Sequence, residues 1–283
     1  MAQTWERLLF AHWPVPEEKL RPLVPPGLTL QTFDGRAWLG ITPFMLSGLR
    51  LRSLPSLRGL APFPELNVRT YVTLDDRPGV FFFSLDAASA LAVAGARRLY
   101  SLPYFRARFT VTSGRTGVAY RCRRTHRGAP PAEFSAAYRP IGPIMTWAPG
   151  TLVHWLTERY CLYAVTRAGR LRRAEIHHPV WPLQCAEVDI SLNSMTDGLG
   201  IQLAASDPVV HFAERLEVYV WPPETLGDLR RWRSISPRTS PDASRFAPTK
   251  FRMGQVPVPF ERRLILPAPA RPRSRGAHEI ARR

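Results

Sequence analysis

Phe63-Pro-Glu-Leu-Asn-Val-Arg-Thr-Tyr71 decides how this chain is read. As a strand it sends alternate side chains to opposite faces. One face carries Glu65, Asn67, Arg69 and Tyr71; the other carries Leu66, Val68, Thr70 and Val72. A half-buried strand turns its apolar set inward and its polar set to water. An ordered acid, amide, guanidinium and phenol equally suit the wall of a polar pocket. Which face points inward decides whether the protein has a site.

Working outward, Asp75 to Gly79 is turn chemistry, and 80–85 (Val-Phe-Phe-Phe-Ser-Leu) reads as a buried strand. Upstream, 16–22 opens like a short helix with proline in its first turn. Segments 28–33 and 36–46 flank Asp34-Gly35, a favoured type I′ hairpin turn. An Ala-rich helix is expected over 87–99, followed by strands at 104–112, 117–125 and 133–139. Thr151 caps a helix running to about Arg159, with Leu152, Trp155 and Leu156 on one face. Strands at 160–166, 170–178, 185–192 and 211–221 complete the pattern. Many hairpins with two or three helices predict an α+β fold with a mainly antiparallel sheet or barrel.

The formal charge of +17 invites a nucleic-acid reading, but its location argues otherwise. Residues 230–283 hold fourteen Lys/Arg against three Asp/Glu, leaving little excess for the rest. The 39 cationic residues include only two lysines, Lys19 and Lys250. That bias fits a GC-rich coding sequence better than selection for phosphate contacts. The core carries no clustered basic motif and is not expected to bind nucleic acid. The 234–283 stretch, with eight prolines and little periodicity, predicts a disordered tail, free to contact nucleic acid or an acidic partner. The domain division is therefore 1–229 and 230–283, with 256–266 able to dock as an edge segment.

No run of eighteen apolar residues occurs and the N-terminus lacks a secretory pattern, so a cytoplasmic protein without a membrane span is expected. Cys122, Cys161 and Cys185 have no metal-ligand spacing. No metal or other cofactor is expected. Gly-x-Gly-x-x-Gly after a strand, phosphate-loop lysine, His-Glu-x-x-His and Gly-x-Ser-x-Gly are all missing.

In the polar ladder, Arg69 offers a forked donor to a carboxylate or carbonyl, and Glu65 is a potential acid/base. His177 and His178, adjacent on a strand, face opposite ways, so at most one joins a site as a proton carrier. Arg97 and Arg98 end a helix that leads through Pro103 into Tyr104; one of them is explained by the helix dipole and the other is free to reach a site. Glu158, Arg159, Tyr160 and Tyr163 read mainly as capping and packing.

The sequence resembles the YqjF-like family, a bacterial family of unknown function. The matching blocks are Leu23-Val-Pro-Pro-Gly27, Phe33-Asp-Gly-Arg-Ala37, 63–71, Phe83-Ser-Leu-Asp-Ala87, 96–104, 156–163 and 175–183, in that order. They span about residues 1–224 and leave out the tail. The resemblance implies a fold of the acetoacetate decarboxylase-like superfamily, a closed, mainly antiparallel β-barrel around a central cavity, with a few flanking helices. Strands of such a barrel send one face into the cavity. The Glu65 strand resembles the decarboxylase strand that bears a cavity glutamate, and Leu102-Pro103-Tyr104-Phe105 resembles the stretch that bears its paired lysines. Here those positions are Tyr104 and Phe105, and neither forms an imine.

The expectation is therefore a small-molecule site with Glu65, Arg69, Tyr104 and His178 as candidate catalytic groups. Asn67, Tyr71, Arg97, Arg98 and His177 are candidate binding groups. The ligand is a small carboxylate- or carbonyl-bearing molecule, handled without a lysine imine. A non-catalytic binding or sensor protein is the alternative, and a tail-mediated interaction protein the third.

Overall fold

Both faces of the 63–74 strand are buried, and the sheet around it shows why. The computed structural model describes residues 1–50, 61–114, 117–203 and 208–229. Most of the loop expected at 49–62 and all of the 230–283 tail, with Lys250 and the 256–266 segment, lie outside them.

The chain runs β1 (Ala2–Val15), α1 (Glu17–Leu20), β2 (Thr29–Leu30), β3 (Thr32–Phe33), β4 (Arg36–Arg50), β5 (Phe63–Leu74) and β6 (Arg77–Ala87). Then follow α2 (Ala90–Leu99), β7 (Tyr104–Gly114), β8 (Gly117–Arg124), β9 (Glu133–Met145) and α3 (Leu152–Thr157). Five strands close the described chain: β10 (Cys161–Val165), β11 (Arg170–His177), β12 (Leu183–Asn193), β13 (Val209–Val220) and β14 (Glu224–Asp228). The turn expected at Asp34-Gly35 forms with φ of 49° and 72°, joining Phe33 to Arg36. Ser89 and Thr151 cap α2 and α3 by accepting from the amides of Ala92 and His154.

The strands join in one mainly antiparallel sheet that closes through β5–β6 into a ring of nine: β6-β7-β8-β9-β12-β13-β1-β4-β5. It is not a regular barrel, because its wall forks at two strands. On β6, Val80 and Phe81 pair with β10, while Leu85 to Ala87 pair with β7, both in parallel. On β13, residues 211–213 pair with β12, while Tyr219 and Val220 pair with β11. The wall β13-β1-β4-β5-β6 is therefore covered on both sides. One face packs Leu9, Ile41, Leu66 and Val68 with Tyr120 and Phe134 of the β8–β9 branch. The other packs Phe10, Phe44, Tyr71 and Phe82 with Leu156 of α3, Leu162 of β10 and Trp181.

That double burial explains an element the sequence pattern does not announce. β1 contains Leu8-Leu-Phe-Ala-His-Trp13 without alternation, because a strand covered on both faces reads as a continuous apolar run. It is nonetheless central, pairing with β4 on one side and β13 on the other. β14 is likewise unannounced, and β9 runs past its expected end to Met145.

Among the described residues no helix is long and apolar enough to cross a membrane.

Candidate functional site

The polar face of β5 is turned inward. Glu65, Asn67, Arg69 and Tyr71 are only 3%, 2%, 5% and 0% exposed, on the side that holds Phe10, Leu156 and Trp181. Leu66, Val68 and Val72 fill the opposite core. Neither face is solvent-facing, so the choice posed by the sequence is settled by the forked wall.

Register places other polar groups beside the ladder. Thr42 of β4 pairs with Asn67, and Gly40 pairs with Arg69 on one side and His12 of β1 on the other. Gly40 is needed there: a Cβ would stand 2.9 Å from His12 Cδ2 and 3.4 Å from Arg69 Cγ. A bulge in the β5–β6 pairing falls on β6, where Phe83 is the extra residue between the partners of Val68 and Arg69. On these rungs His12 Nδ1, Thr42 Oγ1, Asn67 Oδ1 and Arg69 Nε are all buried without a hydrogen-bond partner among the described residues. Buried polar groups are paired in the great majority of cases, so four orphans close together make this face the candidate site.

At one end of the ladder stands Glu65. Tyr104, opening β7, donates its hydroxyl toward both carboxyl oxygens at 3.1 Å. Tyr120 holds the strand itself, donating to the Glu65 carbonyl at 2.8 Å. Burial raises the Glu65 carboxyl to about 8, against the lowering effect of the Tyr104 hydrogen bond and with a further push from Asp86. At neutral pH the group is mostly a carboxylic acid with a proton to give. Arg97 Nη1 donates to the Tyr104 carbonyl at 2.5 Å, so it braces Tyr104 from behind.

At the other end are Arg69, Tyr71, His12 and Arg159. The Tyr71 hydroxyl lies 2.7 Å from His12 Nε2. Burial, then the charge of Arg69, holds His12 well below the usual histidine range, so the ring is neutral and shares one hydrogen bond with Tyr71. Arg69 lies 5.1 Å from the Phe10 ring centroid, donates from Nη2 to the Leu156 carbonyl at a long 3.4 Å, and also interacts with the Tyr71 hydroxyl. Arg159, just after α3, donates from Nε to the Trp155 carbonyl at 2.7 Å and from Nη1 to Gln31 at 2.6 Å. Its Nη2 is buried without a partner.

The remaining candidates sit elsewhere. His177 ends β11 exposed, with its ring 6.5 Å from that of Tyr219. His178 is buried, stacked on Tyr160, with Nδ1 2.8 Å from the Pro179 carbonyl and Nε2 3.4 Å from that of Arg159. It supports the Arg159 turn rather than the ladder. Arg98 is exposed, and with Arg97 lines an open surface groove of about 1130 Å³ that also takes in Phe81, Phe83, Arg106 and His126. The structure thus brings Glu65, Asn67, Arg69, Tyr71 and Tyr104 together, and leaves Arg98 and His177 outside. His12 and Thr42 carry no sequence motif, and Arg159 reads in the sequence as a capping residue. A histidine inside an apolar run was the available signal for His12.

Comparison with known proteins agrees with the fold. The DUF2071 family model, described as an uncharacterized conserved protein, matches residues 2–217. Uncharacterized protein YqjF of Bacillus subtilis (strain 168) is 47% identical over 232 residues, covering 82% of this chain and 92% of that protein. Among solved structures, the enduracididine biosynthesis enzyme MppR with HEPES buffer bound aligns with a TM-score of 0.57 at 13% identity, over 80% of this chain and 88% of that one. An acetoacetate decarboxylase-like enzyme from Sphingomonas wittichii RW1 gives 0.56 at 14% identity, over 80% and 93%. An acetoacetate decarboxylase gives 0.56 at 13%, over 80% and 89%. At such identities these structures establish an acetoacetate decarboxylase-like fold and nothing about chemistry.

Proposed function

Because the chain belongs to the DUF2071 family of uncharacterized YqjF-like proteins and has an acetoacetate decarboxylase-like fold, we propose that its buried polar ladder is a small-molecule site. The ligand is a small carboxylate- or carbonyl-bearing molecule, and the chemistry is proton transfer without a lysine imine.

The observation that carries this reading is the environment of Arg69. A buried charge is costly unless paired. Arg124, the comparable buried arginine, is paired with Asp86 through two hydrogen bonds. Arg69 forms no ion pair among the described residues, and its Nε has no partner. A ligand carboxylate supplies the missing anion and accepts from the guanidinium fork. Asn67 and Thr42 stand between Arg69 and Glu65, suited to a carbonyl or hydroxyl.

Glu65, protonated at neutral pH, then gives its proton to the oxygen or carbon that gains electron density, and Tyr104 steadies the carboxylate left behind. An imine route needs an amine, and Lys19, the lysine within the described residues, is exposed on α1. The sensor reading uses the same wall and is favoured by the engagement of both Glu65 oxygens with Tyr104. In that case Glu65→Gln retains binding and no ligand is converted.

Arg69→Met tests the assignment. In titration calorimetry with α-ketovalerate, the loss of a buried charge partner predicts a drop of about 2–5 kcal/mol, roughly thirtyfold or more in affinity. Unliganded stability should hold or rise, because an uncompensated buried charge has been removed. A destabilised variant that still binds would mean that Arg69 serves the fold instead.

A further inference from the structure

We propose that the ligand is a dianion, and that Arg159 holds its second negative charge. The inference rests on the reading above that Arg69 receives a carboxylate.

Arg159 repeats the circumstances of Arg69. It is 5% exposed, makes no ion pair among the described residues, and buries Nη2 without a partner. Its neighbour in sequence, Glu158, does not neutralise it: that carboxylate accepts from the Trp181 amide at 3.1 Å and from the Tyr160 hydroxyl. The bonds Arg159 does make, to the Trp155 carbonyl and the Gln31 side chain, are to neutral acceptors.

The two guanidiniums belong to one place. Arg69 Cζ lies 5.8 Å and Arg159 Cζ 5.0 Å from the centroid of the same Tyr71 ring. Their separation is at most the sum of those two distances, within the span of a short dicarboxylate that uses an arginine at each end. Unpaired atoms of both are therefore disposed around one aromatic ring.

A charge inventory supports the geometry. His12, His178 and His211 are each held below the usual histidine range, chiefly by burial, and are neutral at pH 7. Glu65, the acid of the ladder, is mostly protonated there. The buried set then carries two positive charges and no compensating negative one. A monoanion would leave one of them uncompensated in a low-dielectric interior; a dianion balances both.

The test compares two ligands of equal carbon number that differ at one end: α-ketoglutarate, with a second carboxylate, and α-ketovalerate, with a methyl. Titration calorimetry on the full-length chain should show α-ketoglutarate binding at least about tenfold more tightly, the gap narrowing as salt is added. Arg159→Gln should abolish the gap by weakening α-ketoglutarate more than α-ketovalerate, and Arg159→Lys should restore part of it. Equal affinity for the two ligands in the wild-type protein overturns the inference and leaves the Arg69 reading standing; this arm requires no variant to fold. Binding of neither ligand at millimolar concentration overturns both. A gap that persists in Arg159→Gln overturns the role of Arg159.

Discussion

Replacing Asp86 with alanine is expected to cost about 3–5 kcal/mol of stability, the usual consequence of leaving a buried cation without its partner. Asp86 of β6 is fully buried, and the Arg124 side chain at the end of β8 is 7% exposed. Arg124 Nε and Nη2 donate to the two carboxylate oxygens at 2.7 and 2.6 Å, and its guanidinium lies 4.3 Å from the Phe105 ring centroid. The bridge spans β7 at the fork where β6 passes from β10 to β7, which is also where Tyr104 reaches Glu65. Urea denaturation of Asp86→Ala, Arg124→Met and the double variant measures the coupling. If each charge is harmful mainly when left alone, the double variant recovers much of the loss. Additive losses would show that the pair is not coupled. Arg69 and Arg159 contrast with Arg124: among the described residues neither forms an ion pair.

A second large effect is expected in the pH dependence of stability, and Glu65→Gln should remove it. The Glu65 carboxyl is raised from 4.5 to about 8 by burial. Between those values the folded protein keeps a proton that the unfolded chain has released. Proton uptake by the folded state means that stability falls as pH rises. The contribution is therefore greatest below the unfolded value, declines by up to about 1.4 kcal/mol per pH unit within the window, and levels off above the folded one. Glutamine preserves the shape of the neutral acid and does not titrate. Urea unfolding at several pH values between 5 and 8 should give wild-type and variant curves that converge at low pH and separate toward pH 8, with the variant the more stable. Parallel curves would show that Glu65 is already ionised, and would remove the proton donor from the proposed chemistry.

Much of this arrangement was legible in the sequence because local chemistry and global fold agree there. Asp34-Gly35, the Ser89 and Thr151 caps and the alternation of β5 each needed only neighbouring residues to be understood. The forked wall was not legible, since it depends on β6 and β13 dividing their edges between distant partners. It hides β1, whose two buried faces erase alternation, and with it His12. The same non-local packing turns Arg159, readable as a helix-terminal charge, into a buried group beside Tyr71. Conversely, Arg98 of α2 and His177 of β11 are polar residues on true elements, but the packing leaves both at the surface.

The central claim is that the inward polar face of β5 meets an anion. Its most direct test is a crystal structure of the full-length protein soaked in α-ketoglutarate, with carboxylate, phosphate and sulfate omitted from all other solutions. Density for the ligand is expected between β5 and α3, with one carboxylate within hydrogen-bond distance of Arg69 Nε and the other at Arg159 Nη2. That expectation would be contradicted by a ladder closed around Arg69 and Arg159 by protein groups alone, with the ligand absent or bound only at the surface.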